Sequence, residues 1–132
     1  MGAKILVIDD EESIRFTFNT HLSNEGHEIF TSEDYTTAIE TIENNSLDLI
    51  FADLILKGHT GIEILSKVKE LGLNCPVIMI TGNPSIKTTT EAVRLGAFDY
   101  LLKPIYKEPL LRVTKLALDH KALVALLPGI RT

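Results

Sequence analysis

Ile5-Leu6-Val7-Ile8-Asp9-Asp10 decides the fold. Four apolar residues run without a polar break and then meet two acids. A run of this length, rich in β-branched residues, reads as a strand buried on both faces. The pattern recurs along the chain. Leu47 to Leu54, Pro76 to Ile80 and Phe98 to Leu102 are further runs; Thr81-Gly82 ends the second of these and Lys103-Pro104 the last. His27 to Phe30 is a weaker, more polar run, which suits a sheet edge.

Helical periods lie between these runs. Ile14, Phe18 and Leu22 recur every four residues before Gly26. Ala38, Ile39 and Ile42 mark a second helix. Ile62, Leu65, Val68 and Leu71, closed by Gly72, mark a third. Thr89 to Leu95, closed by Gly96, predicts a fourth, weakened by β-branched threonines. A fifth starts after Pro109. Strand and helix alternate five times, so the expectation is an α/β fold with a parallel sheet and helices on both faces. Right-handed crossovers leave the flavodoxin-like, doubly wound (βα)5 order 2-1-3-4-5 as the leading topology.

The 132 residues suffice for one domain. A net charge of −5 disfavours a nucleic-acid surface. The single cysteine, Cys75, excludes a disulfide scaffold and suits a reducing cytoplasm. No apolar run reaches about 18 residues, so no membrane span is expected. The start of the chain is too short and too acidic for a signal peptide. His21, His27, His59 and His120 are scattered without metal spacing and read as surface residues.

Polar placement points to a site. Asp9, Asp10, Asp53, Thr81 and Lys103 each stand at the carboxyl end of a strand, on one edge of a parallel sheet. Ligands bind there, at the switch point between the first and third strands. Clustered carboxylates raise one another's pKa or recruit a cation. Oxygen donors suit Mg²⁺, with Mn²⁺ the nearest alternative. Such a pocket is arranged to receive a phosphoryl group, with an aspartate as acceptor.

The chain resembles the receiver domain of bacterial two-component response regulators. ILVIDDEESIR, LIFADLILKGHTGIEIL, PVIMITGNPSI and LGAFDYLLKP carry the resemblance, in order, from Lys4 to about Leu118. It implies that Asp53 is the phosphoacceptor, and that the chain is a signalling module catalysing only its own phosphorylation and dephosphorylation. It implies Mg²⁺ on Asp10, Asp53 and the Ile55 carbonyl, with Asp9 reaching it mainly through water. Lys103 would pair with the phosphoryl group and Thr81 would donate a hydroxyl to it. Tyr100 would be the aromatic switch, turning inward as Thr81 is drawn to the phosphate, and the peptide before Pro104 would be cis. Partners implied by the resemblance are a sensor histidine kinase or phosphotransfer protein and an output domain or effector, transcription regulation being one form of output, with homodimerisation open. The output face would be the fourth helix, fifth strand and fifth helix, including Ile86, Glu91, Arg94, Tyr106 and Lys107.

Lys57 departs from the family's usual proline four residues after the phosphorylated aspartate, which puts a cation near the pocket mouth and frees the loop there. Ile55 and Asn83 occupy the two positions that tune phosphate loss in the family. An apolar Ile55 cannot orient water, which implies slow self-dephosphorylation.

Other classes fit less well. A haloacid-dehalogenase-type phosphatase expects an aspartate two residues after the first, where Glu11 stands, and a cap insertion for which there is no room. A nucleotide or flavin domain needs a glycine-rich loop after the first strand, where acids stand. A degenerate receiver would lack part of the complete residue set. Residues 1–120 are therefore expected to form the receiver domain. Residues 121–132 are expected to extend the last helix as a linker or tail, stopped by Pro128-Gly129, its apolar Ala122 to Leu127 seeking a subunit or output domain.

Overall fold

The computed structural model describes residues 2–127. Its strands are β1 (Lys4–Ile8), β2 (Glu28–Ser32), β3 (Leu49–Asp53), β4 (Ile55–Leu56), β5 (His59–Thr60), β6 (Val77–Thr81) and β7 (Asp99–Leu102). Its helices are α1 (Glu12–Asn24), α2 (Tyr35–Asn44), α3 (Gly61–Glu70), α4 (Ile86–Arg94) and α5 (Lys107–Leu126). The main sheet is parallel, in the order β2-β1-β3-β6-β7. Counting only these five strands, that is the expected 2-1-3-4-5.

Strand alternation divides the core in two. Leu6, Ile8, Ile50, Ala52 and Met79 face one way, against Ala38 and Ile42 of α2, Ile64, Leu65 and Val68 of α3, and Ala92 of α4. Ile5, Val7, Leu49, Phe51, Ile78 and Ile80 face the other, against Phe18 and Leu22 of α1 and Leu110, Val113 and Ala117 of α5. Phe18 meets Phe51 edge to face, with ring centroids 4.9 Å apart. Continuous apolar strands are thus explained, because helices cover both faces.

Several boundaries differ from the sequence reading. The second strand runs from Glu28 to Ser32, beyond Phe30, because it pairs with all of β1. The fourth helix begins at Ile86, three residues before Thr89. Ser85 is its N-cap and accepts a hydrogen bond from the Thr88 N–H at 3.2 Å. That cap offsets part of the threonines' poor propensity.

The loop after Asp53 is also more ordered than Lys57 suggests. β4 and β5 form a small antiparallel hairpin, pairing Ile55 with Thr60 and Leu56 with His59. Lys57-Gly58 is its turn, and Gly58 adopts a φ of +72° that favours glycine. Lys57 is exposed on that turn and is not among the residues lining the cleft above Asp53.

α5 continues without a break past residue 120 to Leu126. Lys121 fastens it to the sheet's amino edge through Asp48, 3.0 Å away. Leu123, Leu126 and Leu127 remain exposed. Pro128-Gly129 lies outside the described residues. Among those described, no helix is long and apolar enough to cross a membrane.

Candidate functional site

The parallel register builds the site. Pairing Ile8 with Ala52 brings the ends of β1 and β3 together, and pairing Asp53 with Ile80 adds the end of β6. Thr81 pairs with Leu102, which sets Lys103 beside it. The Lys103 N–H donates to the Thr81 carbonyl at 2.8 Å. The Lys103–Pro104 peptide is cis. Asp10, Glu11, Asp53, Ile55, Thr81, Gly82, Asn83 and Lys103 line a cleft of about 280 Å³ at this edge.

Three carboxylates converge on one ammonium. Lys103 Nζ lies 2.7 Å from Glu11 Oε1, 3.0 Å from Asp53 Oδ2 and 3.1 Å from Asp9 Oδ2. Asp9 and Asp53 are buried, whereas Asp10 and Glu11 are exposed. Burial pushes the Asp9 carboxyl up to about 6, assisted by the nearby Asp53 charge. The Glu11 N–H, which donates to Asp9 Oδ1 at 2.8 Å, and Lys103 both oppose that rise. Burial works to lower the Lys103 pKa, but hydrogen bonds to Glu11 and Asp53 outweigh it and push it up. The lysine is therefore a fixed cation at neutral pH.

The carboxylates fit a hard divalent cation. One oxygen from each of Asp9, Asp10, Glu11 and Asp53 lies within 4.8 Å of the others. Asp9 Oδ2 is near the ammonium yet accepts no well-directed hydrogen bond, so a buried lone pair is left over. An all-oxygen set suits Mg²⁺.

The loops are held by their backbones. Arg15 Nη1 donates to the Asp9 carbonyl at 2.7 Å, tying the first turn of α1 to the end of β1. The Ile55 N–H donates to Asp53 Oδ1 at 3.2 Å. The Ile55 side chain is exposed at the cleft. Gly61 opens α3 directly behind Asp53, and a Cβ there would sit 2.5 Å from the Asp53 carbonyl oxygen. Thr81 is buried, its hydroxyl accepting from the Asn83 N–H at 3.1 Å. Tyr100 packs against the core, its hydroxyl buried and without a partner among the described residues.

Asp9, Asp10, Asp53, Ile55, Thr81 and Lys103 thus meet at one edge, and Tyr100 stands on the strand leading to it. Two contributors were not legible as such. Glu11 was visible only as one acid among several, and the Arg15 contact depends on a helical turn folding back over Asp9. The remaining candidates stay apart. The four histidines do not gather: His21 lies in the last turn of α1, His27 accepts from the Ala3 N–H, His59 stacks on Tyr35 and His120 meets Phe98. Cys75 is buried, and its burial pushes the thiol up to about 12, which makes it a poor nucleophile.

Residues 5–115 match the family described as the response regulator receiver domain. The nitrogen assimilation regulatory protein NtrX of Azorhizobium caulinodans is 34% identical over 90% of this chain, which spans 27% of that protein. A crystal structure of NtrX from Brucella abortus has 36% identity and a TM-score of 0.90, covering 100% of this chain and 30% of that one. A solution structure described as the beryllofluoride-activated NtrC4 receiver domain dimer has 30% identity and a TM-score of 0.84, covering 89% of this chain and 98% of that one. This chain belongs to the response regulator receiver domain family.

Proposed function

We propose that Asp53 accepts a phosphoryl group from a sensor histidine kinase or phosphotransfer protein. The observation that carries this reading is the Lys103 ammonium held 3.0 Å from Asp53 Oδ2 inside an acidic cleft. An Asp53 carboxylate oxygen attacks phosphorus, the bond from phosphorus to the donor nitrogen breaks, and the departing imidazole keeps the electron pair and takes a proton. Lys103 pairs with the transferred group, and the Thr81 hydroxyl turns from Asn83 to donate to it. Asp10, Asp53 and the Ile55 carbonyl would hold Mg²⁺ directly, with Asp9 acting through water. When bound, the ion neutralises charge on the phosphoryl oxygens. Incubation with acetyl phosphate and Mg²⁺ should add one phosphoryl group to the wild-type chain and none to Asp53→Asn. An unmodified wild type, with cognate kinase also supplied, would refute the reading.

The same reading makes the chain catalytic only towards its own phosphorylation and dephosphorylation. Ile55 sets the second rate, because its exposed apolar side chain cannot orient attacking water. Ile55→Asn should shorten the phosphate lifetime severalfold, measured by loss of radiolabel. An unchanged lifetime would reject that role.

Output would pass through Thr81 and Tyr100 to α4, β7 and α5. The buried Tyr100 hydroxyl has no partner among the described residues, which costs about 1–3 kcal/mol and favours a second ring position. α4 buries only Ala92 and is weakly anchored. Ile86, Val93, Leu102 and Tyr106 on these elements are exposed and apolar, and suit a homodimer or an effector. Transcription-regulating output fits one relative, the DNA-binding transcriptional regulator NtrC of Azospirillum brasilense, which is 29% identical and of which this chain spans 27%. The extension of α5 beyond residue 120 would serve as the linker, and the setting would be the cytoplasm. Beryllofluoride with Mg²⁺ should shift amide resonances across residues 84–108. Unchanged shifts there would exclude this output route.

A further inference from the structure

We propose that Glu11 is a positioning residue for Lys103, and that phosphotransfer begins with release of the ammonium from Glu11; this rests on Asp53 being the acceptor. Glu11 is the nearest of the three carboxylates, at 2.7 Å against 3.0 Å for Asp53 and 3.1 Å for Asp9. It is also the exposed one: its side chain is 56% exposed, while those of Asp9 and Asp53 are 0% and 8% exposed. The ammonium is therefore stretched between an inner pair and an outer acid.

Beyond its place in the carboxylate cluster, the Glu11 side chain has no competing structural duty. It stands at the N-cap of α1 but makes no side-chain cap hydrogen bond. Its backbone N–H, not its carboxylate, steadies Asp9. Among the described residues, Lys103 is the cation its side chain meets. The visible effect of the carboxylate is to hold Lys103 towards the mouth of the cleft.

That placement has two consequences for phosphotransfer. A phosphoryl group on Asp53 brings close to two negative charges that need the ammonium. Glu11 competes for it, because the three N–H donors of Lys103 are already surrounded by Glu11, Asp53 and Asp9 at 2.7, 3.0 and 3.1 Å. Glu11 also puts a negative charge where an anionic donor must enter. One unit charge at contact range in a mostly aqueous dielectric changes such a rate by about threefold to tenfold, and salt screens the effect.

Two variants of the full chain separate the contributions. E11Q keeps the shape and an acceptor oxygen but removes the charge; E11A removes both. With acetyl phosphate and Mg²⁺ at low salt, both should phosphorylate about threefold to tenfold faster than wild type, the gain shrinking at high salt. Without any phosphodonor, the ¹⁵N-detected Lys103 ammonium resonance should shift and broaden in E11A and, less, in E11Q. Rates within twofold of wild type, or a Lys103 resonance unchanged in E11A, would overturn the proposal. If wild type and variants alike take up no phosphate, the acceptor reading fails. The ammonium resonance, which needs no phosphate, still decides whether Glu11 holds Lys103.

Discussion

Lys103→Met should destabilise the metal-free domain by about 2–3 kcal/mol at neutral pH, and Mg²⁺ should restore most of that loss. The ammonium is within 3.1 Å of Asp9, Glu11 and Asp53. Removing one partner of a buried ion pair costs about 3–5 kcal/mol. The exposure of Glu11 moderates the effect here, since water stabilises that carboxylate. Asp9 has no such relief. Burial pushes its carboxyl up to about 6 even with Lys103 opposing the rise, and loss of the ammonium raises it further. Below that pH it carries a proton, so the variant leaves one fewer uncompensated charge. The penalty should therefore be smaller at pH 5 than at pH 7.5. Phosphorylation should fall by about 100-fold or more, the usual effect of losing one preorganised donor to the transferring group. Thermal unfolding in EDTA and in Mg²⁺, at both pH values, tests the first part. A variant as stable as wild type in EDTA, or insensitive to Mg²⁺, would contradict it.

Gly61→Ala should have the second large effect, and it acts through the backbone. Gly61 begins α3, and its N–H donates to the Leu54 carbonyl at 3.0 Å. A Cβ at this position would meet the Asp53 carbonyl oxygen at 2.5 Å and the Asp53 carbonyl carbon at 3.1 Å. These atoms belong to a central strand and cannot yield as a flexible side chain does. Overpacking of this kind costs about 1–3 kcal/mol. The strand end must move, and the Asp53 carboxylate moves with it. Misplacing a reacting group by about 1 Å can cost about 100-fold in rate. Phosphorylation by acetyl phosphate should drop by about 10- to 100-fold while the circular dichroism stays native. A rate equal to wild type would show that the contact is relieved without moving Asp53.

The sequence carried the sheet because β1, β3 and β6 are buried on both faces, so their runs are nearly pure apolar. Burial was harder to see at the edges. β2 has mixed exposure and extends beyond its apolar run, since its polar Thr31 and Ser32 are held by pairing with Val7 and Ile8. α4 begins ahead of its apolar period because its start is set by a Ser85 side chain. The hairpin of β4 and β5 has two-residue strands and leaves no periodic trace. At the site, Asp9, Asp10, Asp53, Thr81 and Lys103 were legible because each ends a strand, and parallel strands share one edge. Glu11 was not, since only side-chain direction distinguishes it from Glu12 beside it. Gly61 lies within the LIFADLILKGHTGIEIL stretch, but the close approach that requires it appears only in three dimensions.

The central claim is that Asp53 becomes an acyl phosphate. The most direct measurement is to phosphorylate the chain with acetyl phosphate and Mg²⁺, reduce it with borohydride and sequence its peptides by mass spectrometry. Reduction converts an aspartyl phosphate to homoserine, so homoserine should appear at position 53 and nowhere else, and disappear when Mg²⁺ is omitted. Homoserine at position 9 or 10, or phosphate stable on a serine or threonine with position 53 unmodified, would contradict the account.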